Sequence, residues 1–134
     1  MPLLAYSPMA VTPPLKPVVW IGSSLEDLRG CPQPVQDVVG YALHVAQLGD
    51  HPPEAKRLRG ELAGILEIVD DFDRATYRAV YTVKLAGVVY VLHVFQKKST
   101  RGIATPRREI ELIKARLALA RAHYAAHHRG EEER

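Results

Sequence analysis

Arg78 lies in the run Tyr77-Arg78-Ala79-Val80-Tyr81. Side chains alternate along a strand, so Tyr77, Ala79 and Tyr81 claim a core face and Arg78 projects from the other. A guanidinium there can hold two phosphate oxygens at once. It can equally pair with Asp71 or Glu67, which needs no substrate. Lys97 and Lys98 close the apolar run that begins at Val88. A strand end beside a loop is a common place for a site. A lysine there supplies charge, or a proton where cationic neighbours depress its pKa; as a solvated pair it would merely end the strand. Arg101, Arg107 and Arg108 surround the following loop and helix start, and Arg74 precedes the arginine strand. Arg107 and Arg108 stand at the positive end of a helix dipole, a mismatch that a bound phosphate would relieve and an exposed site would tolerate.

The charge distribution agrees with an anionic partner. Residues 1–73 hold 5 Lys and Arg against 10 Asp and Glu, a balance of −5. Residues 74–128 hold 11 against 2, a balance of +9. The formal net charge of +3 hides this asymmetry, which suits nucleic acid, an acidic protein or a membrane surface. His93 lies within the apolar strand and reads as a buried core histidine. His123, His127 and His128 lack cysteine or acidic ligands at metal spacing, so neither a metal nor a cofactor is expected. Tyr124 reads as core.

These residues must be positioned by a small domain. At 134 residues and 47% hydrophobic, the chain suits one globular core. Its single cysteine, Cys31, excludes an intrachain disulfide. The longest apolar run is far below the length of about 20 residues that spans a bilayer, and no secretory signal is apparent. A cytoplasmic, membrane-free setting is expected.

Five of the ten prolines fall in residues 1–17, which predicts an extended arm. Val18–Ile21 reads as a strand closed by Gly22, with a short helical turn to Leu28. Pro32 and Pro34 open a longer helix whose apolar positions Val35, Val38, Val39, Ala42 and Ala46 share one face; Gly49 and Pro52-Pro53 end it. Leu66–Phe72, Tyr77–Val83 and Val88–Lys98 read as successive antiparallel strands, with turns at Asp71–Ala75 and Ala86-Gly87. The last strand is apolar on both faces and therefore central or covered. Thr105 and Pro106 start the final helix, with Ile110, Ile113, Leu117, Ala120 and Tyr124 as its stripe. The expectation is an α+β domain over 18–126: a small, mainly antiparallel meander sheet of about four strands with helices on one face. The other face should present Arg78 and Glu67 to a ligand. Residues 127–134 form a polar tail.

Ordered along the chain are Val19-Trp20-Ile21-Gly22-Ser23-Ser24-Leu25-Glu26-Asp27-Leu28, Ala55-Lys56-Arg57-Leu58-Arg59-Gly60 and Phe72-Asp73-Arg74-Ala75-Thr76-Tyr77-Arg78-Ala79-Val80-Tyr81-Thr82-Val83. Then come Val89-Tyr90-Val91-Leu92-His93-Val94-Phe95-Gln96-Lys97-Lys98-Ser99 and Thr105-Pro106-Arg107-Arg108-Glu109-Ile110. In this order and spacing the set resembles the RelE/HigB toxins of toxin–antitoxin systems, in particular their phage-derived HigB-like branch.

The resemblance implies a ribosome-dependent endoribonuclease that cuts mRNA in the ribosomal A site and is restrained by a cognate helix-turn-helix antitoxin. It implies metal-free attack of the ribose 2′-oxygen on the adjacent phosphate, which needs a base, cations around the phosphorane and an acid for the leaving oxygen. Arg78 matches a substrate-facing strand arginine of the family and Lys98 a cationic catalytic position. The wider family carries lysines on the first meander strand; Glu67 and Val69 stand here instead. Glu67 is thus a candidate base, or a salt-bridge partner of Arg78. Two further readings stand beside the nuclease: a non-catalytic ParE-like inhibitor of a DNA topoisomerase, and a plain RNA-binding module.

Overall fold

The computed structural model describes residues 14–97 and 105–132, the last five of these by backbone alone. Lys98 and Arg101, most of the proline-rich arm and the side chain of His128 lie outside the described residues. The elements are β1 (Val18–Trp20), α1 (Ser24–Arg29), α2 (Gln33–Gln47), β2 (Ala55–Arg57), β3 (Leu66–Phe72), β4 (Ala75–Thr82), β5 (Val89–Lys97) and α3 (Arg107–Glu132). A 3-10 turn covers Gly60–Leu62.

One sheet runs β1-β5-β4-β3-β2, with β1 parallel to β5 and every other pair antiparallel. The meander is as expected, but the sheet has five strands rather than four. The additional strand, β2, is only Ala-Lys-Arg with one buried residue. Three residues with one apolar side chain carry no alternation to read; pairing with β3 makes them a strand.

The helices correct the expectation more deeply: they cover both faces. Leu28, Val35, Val39, Ala42, Leu43 and Ala46 of α1 and α2 pack on Leu66, Ile68, Ala79, Tyr81, Val89, Val91 and Val94. On the opposite face Ile113, Ala120 and Tyr124 of α3 join Val80, Tyr90 and Leu92, with Leu58, Leu62 and Ile65 alongside. A central strand apolar on both faces demands such double cover, since each exposed face would leave valines and leucines in water. The face that should have been open is therefore partly roofed by α3. The helix also continues to Glu132, past the expected start of the polar tail.

Two local features set the register. Phe72 pairs with Ala75, so Asp73 and Arg74 alone make the β3–β4 turn, with φ of 52° and 66°. Two left-handed residues match the twist of a tight hairpin, usually with glycine; aspartate tolerates the conformation better than most. A β-bulge then lies where the register slips between Val80↔His93 and Tyr81↔Val91. The extra residue reverses the inward-outward order of β5. Sequence counting puts His93 on the face of Val91 and Phe95; the bulge leaves it with Phe95 and sends Val91 to the α2 side.

Candidate active site

On the α3 side, cross-strand register builds three rows. Glu67, Val80 and His93 form one, Val69, Arg78 and Phe95 the next, and Asp71, Thr76 and Lys97 the last, nearest the Asp73–Arg74 turn. The sheet thereby gathers two cations, two carboxylates, an imidazole and an aromatic ring on one patch. Arg74 is exposed at the turn beside the last row.

The centre of the patch is an ion pair. Arg78 Nη1 donates to Glu67 Oε1 at 2.7 Å, with side-chain exposures of 12% and 5%. Alternation does put Arg78 opposite Tyr81, as expected, but this face does not leave it open. Both groups sit in a nearly dry environment, where the pair is electrostatically strong and each partner costly to leave alone. The Arg78 Nε atom is buried and makes no hydrogen bond. The guanidinium thus keeps one unsatisfied donor inside the fold, a cost borne beside the ion pair. Lys97 is buried at the end of β5, opposite Thr76. Thr76 donates to Asp71 Oδ1 at 2.7 Å. Glu67, Arg78 and Lys97 therefore share one face in successive rows, with Arg74 at the turn beyond the last.

The α3 start is organised differently from the expectation. Arg107 donates to Glu61 Oε1 at 2.8 Å and also to Glu111, while Lys114 donates to Glu61 at 2.9 Å. Those hydrogen bonds hold the Glu61 carboxyl well below the usual range, at about 2, and push the Arg107 guanidinium up. The mismatch of Arg107 with the helix dipole is thus answered by carboxylates of the chain itself. Arg108, 87% exposed, stands 4.0 Å from Glu109. Arg108 has the more available charge of the two.

Residues that sequence reasoning passed over fix α3 to the patch. His93 is buried, as expected, and its Nε2 lies 2.7 Å from Glu109 Oε1. Arg116 Nη1 donates to Leu92 O at 3.0 Å and approaches His93 Nδ1 at 3.4 Å, and its Nη2 donates to Ser23 Oγ at 3.1 Å. The imidazole is thus held between a guanidinium on its Nδ1 side and a carboxylate on its Nε2 side. Gly22, with φ of 59°, lets Arg116 approach; a Cβ there would meet its Nε at 2.7 Å. The available signal was the Glu109-to-Arg116 interval of two helical turns beside the apolar stripe. Far along the helix, Tyr90 OH and His123 Nδ1 lie 2.8 Å apart, and Tyr124 donates to Ala86 O at 2.9 Å.

Among the described residues, no group of three or more His, Cys, Asp or Glu side chains could hold a metal ion, and no helix is long and apolar enough to cross a membrane. Chemically, the face carries guanidinium, ammonium and carboxylate groups, the types that hold phosphate oxygens and move a proton.

Comparison with known proteins adds two findings. The profile of a family described as phage-derived protein, Gp49-like, matches residues 26–118. Among solved structures, the toxin–antitoxin complex RelBE2 from Mycobacterium tuberculosis is similar at 25% identity, covering 63% of this chain and 99% of the matched chain, with a TM-score of 0.45. No curated protein matches the chain.

Proposed function

The chain belongs to the Gp49-like family of phage-derived proteins, and from that premise we propose that it is the toxin of a toxin–antitoxin pair, a RelE-type endoribonuclease that cleaves mRNA on the ribosome. The observation that supports this reading most is the Glu67–Arg78 pair, set on one sheet face with Lys97. Carboxylate, guanidinium and ammonium groups together are the set that a metal-free transesterification uses.

In the proposed reaction the 2′-hydroxyl of one ribose attacks the adjacent phosphorus. Its proton passes to the Glu67 carboxylate, and the P–O5′ bond breaks. The departing 5′-oxygen takes a proton from a lysine ammonium, Lys97 or Lys98. The products are a 2′,3′-cyclic phosphate and a 5′-hydroxyl, with no metal ion in any step. Arg78 and Lys97 neutralise the phosphorane where its charge develops, which is where fixed donors accelerate most. Arg74, Arg101 and Arg108 hold flanking phosphates, with Arg107 partly withdrawn by its carboxylates. The partners are mRNA in the ribosomal A site and a cognate helix-turn-helix antitoxin, and the setting is the cytoplasm.

The nearly complete burial of Arg78 favours one competing reading, a non-catalytic ParE-like inhibitor of a DNA topoisomerase, in which the pair is only structural. Primer extension on mRNA from cells expressing the chain separates them. Codon-phased cuts support the nuclease; growth arrest with intact messages supports the inhibitor.

A further inference from the structure

The patch contains one aromatic ring whose position is set with unusual care. Phe95 stands directly across from Arg78 in the β4–β5 register, between His93 and Lys97 along its own strand. It is only partly buried. Its ring stacks on that of His93, with centroids 4.7 Å apart and planes 17° from parallel. The His93 ring is itself held from two sides, by Glu109 and Arg116. A ring backed in this way is fixed at little further entropic cost, and it shares its face with the guanidinium of Arg78.

Resting on the nuclease reading above, we propose that Phe95 is a stacking platform for a nucleobase of single-stranded RNA, adjoining the scissile phosphate held at Arg78. Single-stranded RNA offers unstacked bases, and base–aromatic stacking tolerates any base because each has a π-face. A platform next to the phosphate site fixes the ribose between them, so that its 2′-oxygen is held toward Glu67. Duplex RNA cannot present a base to this ring without opening. His93 and Arg116 then act as positioning residues: they touch the platform, not the substrate.

The test uses the full chain and two probes, hexa-adenylate RNA and a ribose-phosphate hexamer of equal charge lacking bases. Phe95→Leu should retain the wild-type melting temperature to within a few degrees and bind the baseless hexamer unchanged. It should bind hexa-adenylate about 5- to 150-fold more weakly, the loss of one stacked base. Phe95→Trp should restore binding and show fluorescence quenching with hexa-adenylate but not with the baseless hexamer. Equal hexa-adenylate binding by wild type and Phe95→Leu overturns the inference and leaves the nuclease reading standing. If Phe95→Leu loses its fold, the Phe95→Trp quenching experiment decides alone: absent quenching overturns the platform. If the wild-type chain binds both probes equally and leaves ribosome-bound mRNA intact, the nuclease reading falls as well.

Discussion

Arg78 shows how far the chemistry of one residue depends on what covers it. Alternation assigns its face correctly, yet an arginine on a solvated face would cost little to remove. Here it neutralises a carboxylate that is 5% exposed. Arg78→Ala leaves that carboxylate buried without its partner, which should cost about 3–5 kcal/mol and lower the melting temperature on the order of 10 °C. The double substitution Arg78→Met with Glu67→Leu removes both charges and should melt near wild type while cleaving no mRNA. A double variant as unstable as Arg78→Ala would mean that the loss is one of packing, not of charge pairing. Tyr81 supplies an opposite case. Its hydroxyl is fully buried, has no hydrogen-bond partner, and is pushed up to about 12 by that burial. An unsatisfied buried donor costs about 1–3 kcal/mol. Tyr81→Phe should therefore raise the melting temperature by a few degrees, and a lowered value would reveal a partner for the hydroxyl.

At the scale of elements, sequence periodicity located β3, β4, β5, α2 and the start of α3, because each has enough apolar positions to show its repeat. It could not find β2, whose three residues hold one buried side chain. Nor could it see the bulge in β5, since every residue from Val89 to Val94 is buried and a strand covered on both faces shows no alternation. The core faces of β3 and β4 were legible; the cover over Arg78 and Glu67 was not, because a roof is a property of α3's path. That path is held in part by the Glu61 cluster, whose behaviour with pH has a definite sign. The Glu61 carboxyl is held at about 2 in the folded protein, below its ordinary value near 4.5. Its contribution is thus present at neutral pH and is lost as pH falls from about 5 toward 2. Glu61→Gln should melt slightly earlier than wild type at pH 7, and the difference should close by pH 2. High salt should also narrow it, because the group is exposed. A gap that persists at pH 2 in high salt would assign the effect to packing of the 3-10 turn instead.

Among the described residues, the −5 and +9 parts of the chain meet in one sheet: β3 brings Glu67 and Asp71 to the patch, while β4, β5 and α3 come from the basic part. Ribosome binding should weaken with salt, each phosphate contact contributing a slope of about −0.7 to −0.9 on a log–log plot. Arg108→Glu should flatten that slope by roughly one contact or more. Arg107→Glu should flatten it less, because Glu61 and Glu111 already answer its charge. Equal effects, or a larger one at Arg107, would place the binding surface elsewhere on the chain. On the proposed function, this surface delivers mRNA to Glu67, Arg78 and the lysines for metal-free cleavage. Purified chain is added to ribosomes programmed with a defined mRNA, and the fragment ends are analysed. A cut within the A-site codon, leaving a cyclic or 3′-phosphate and a 5′-hydroxyl, is expected; intact mRNA, or fragments ending in a 3′-hydroxyl, would contradict it.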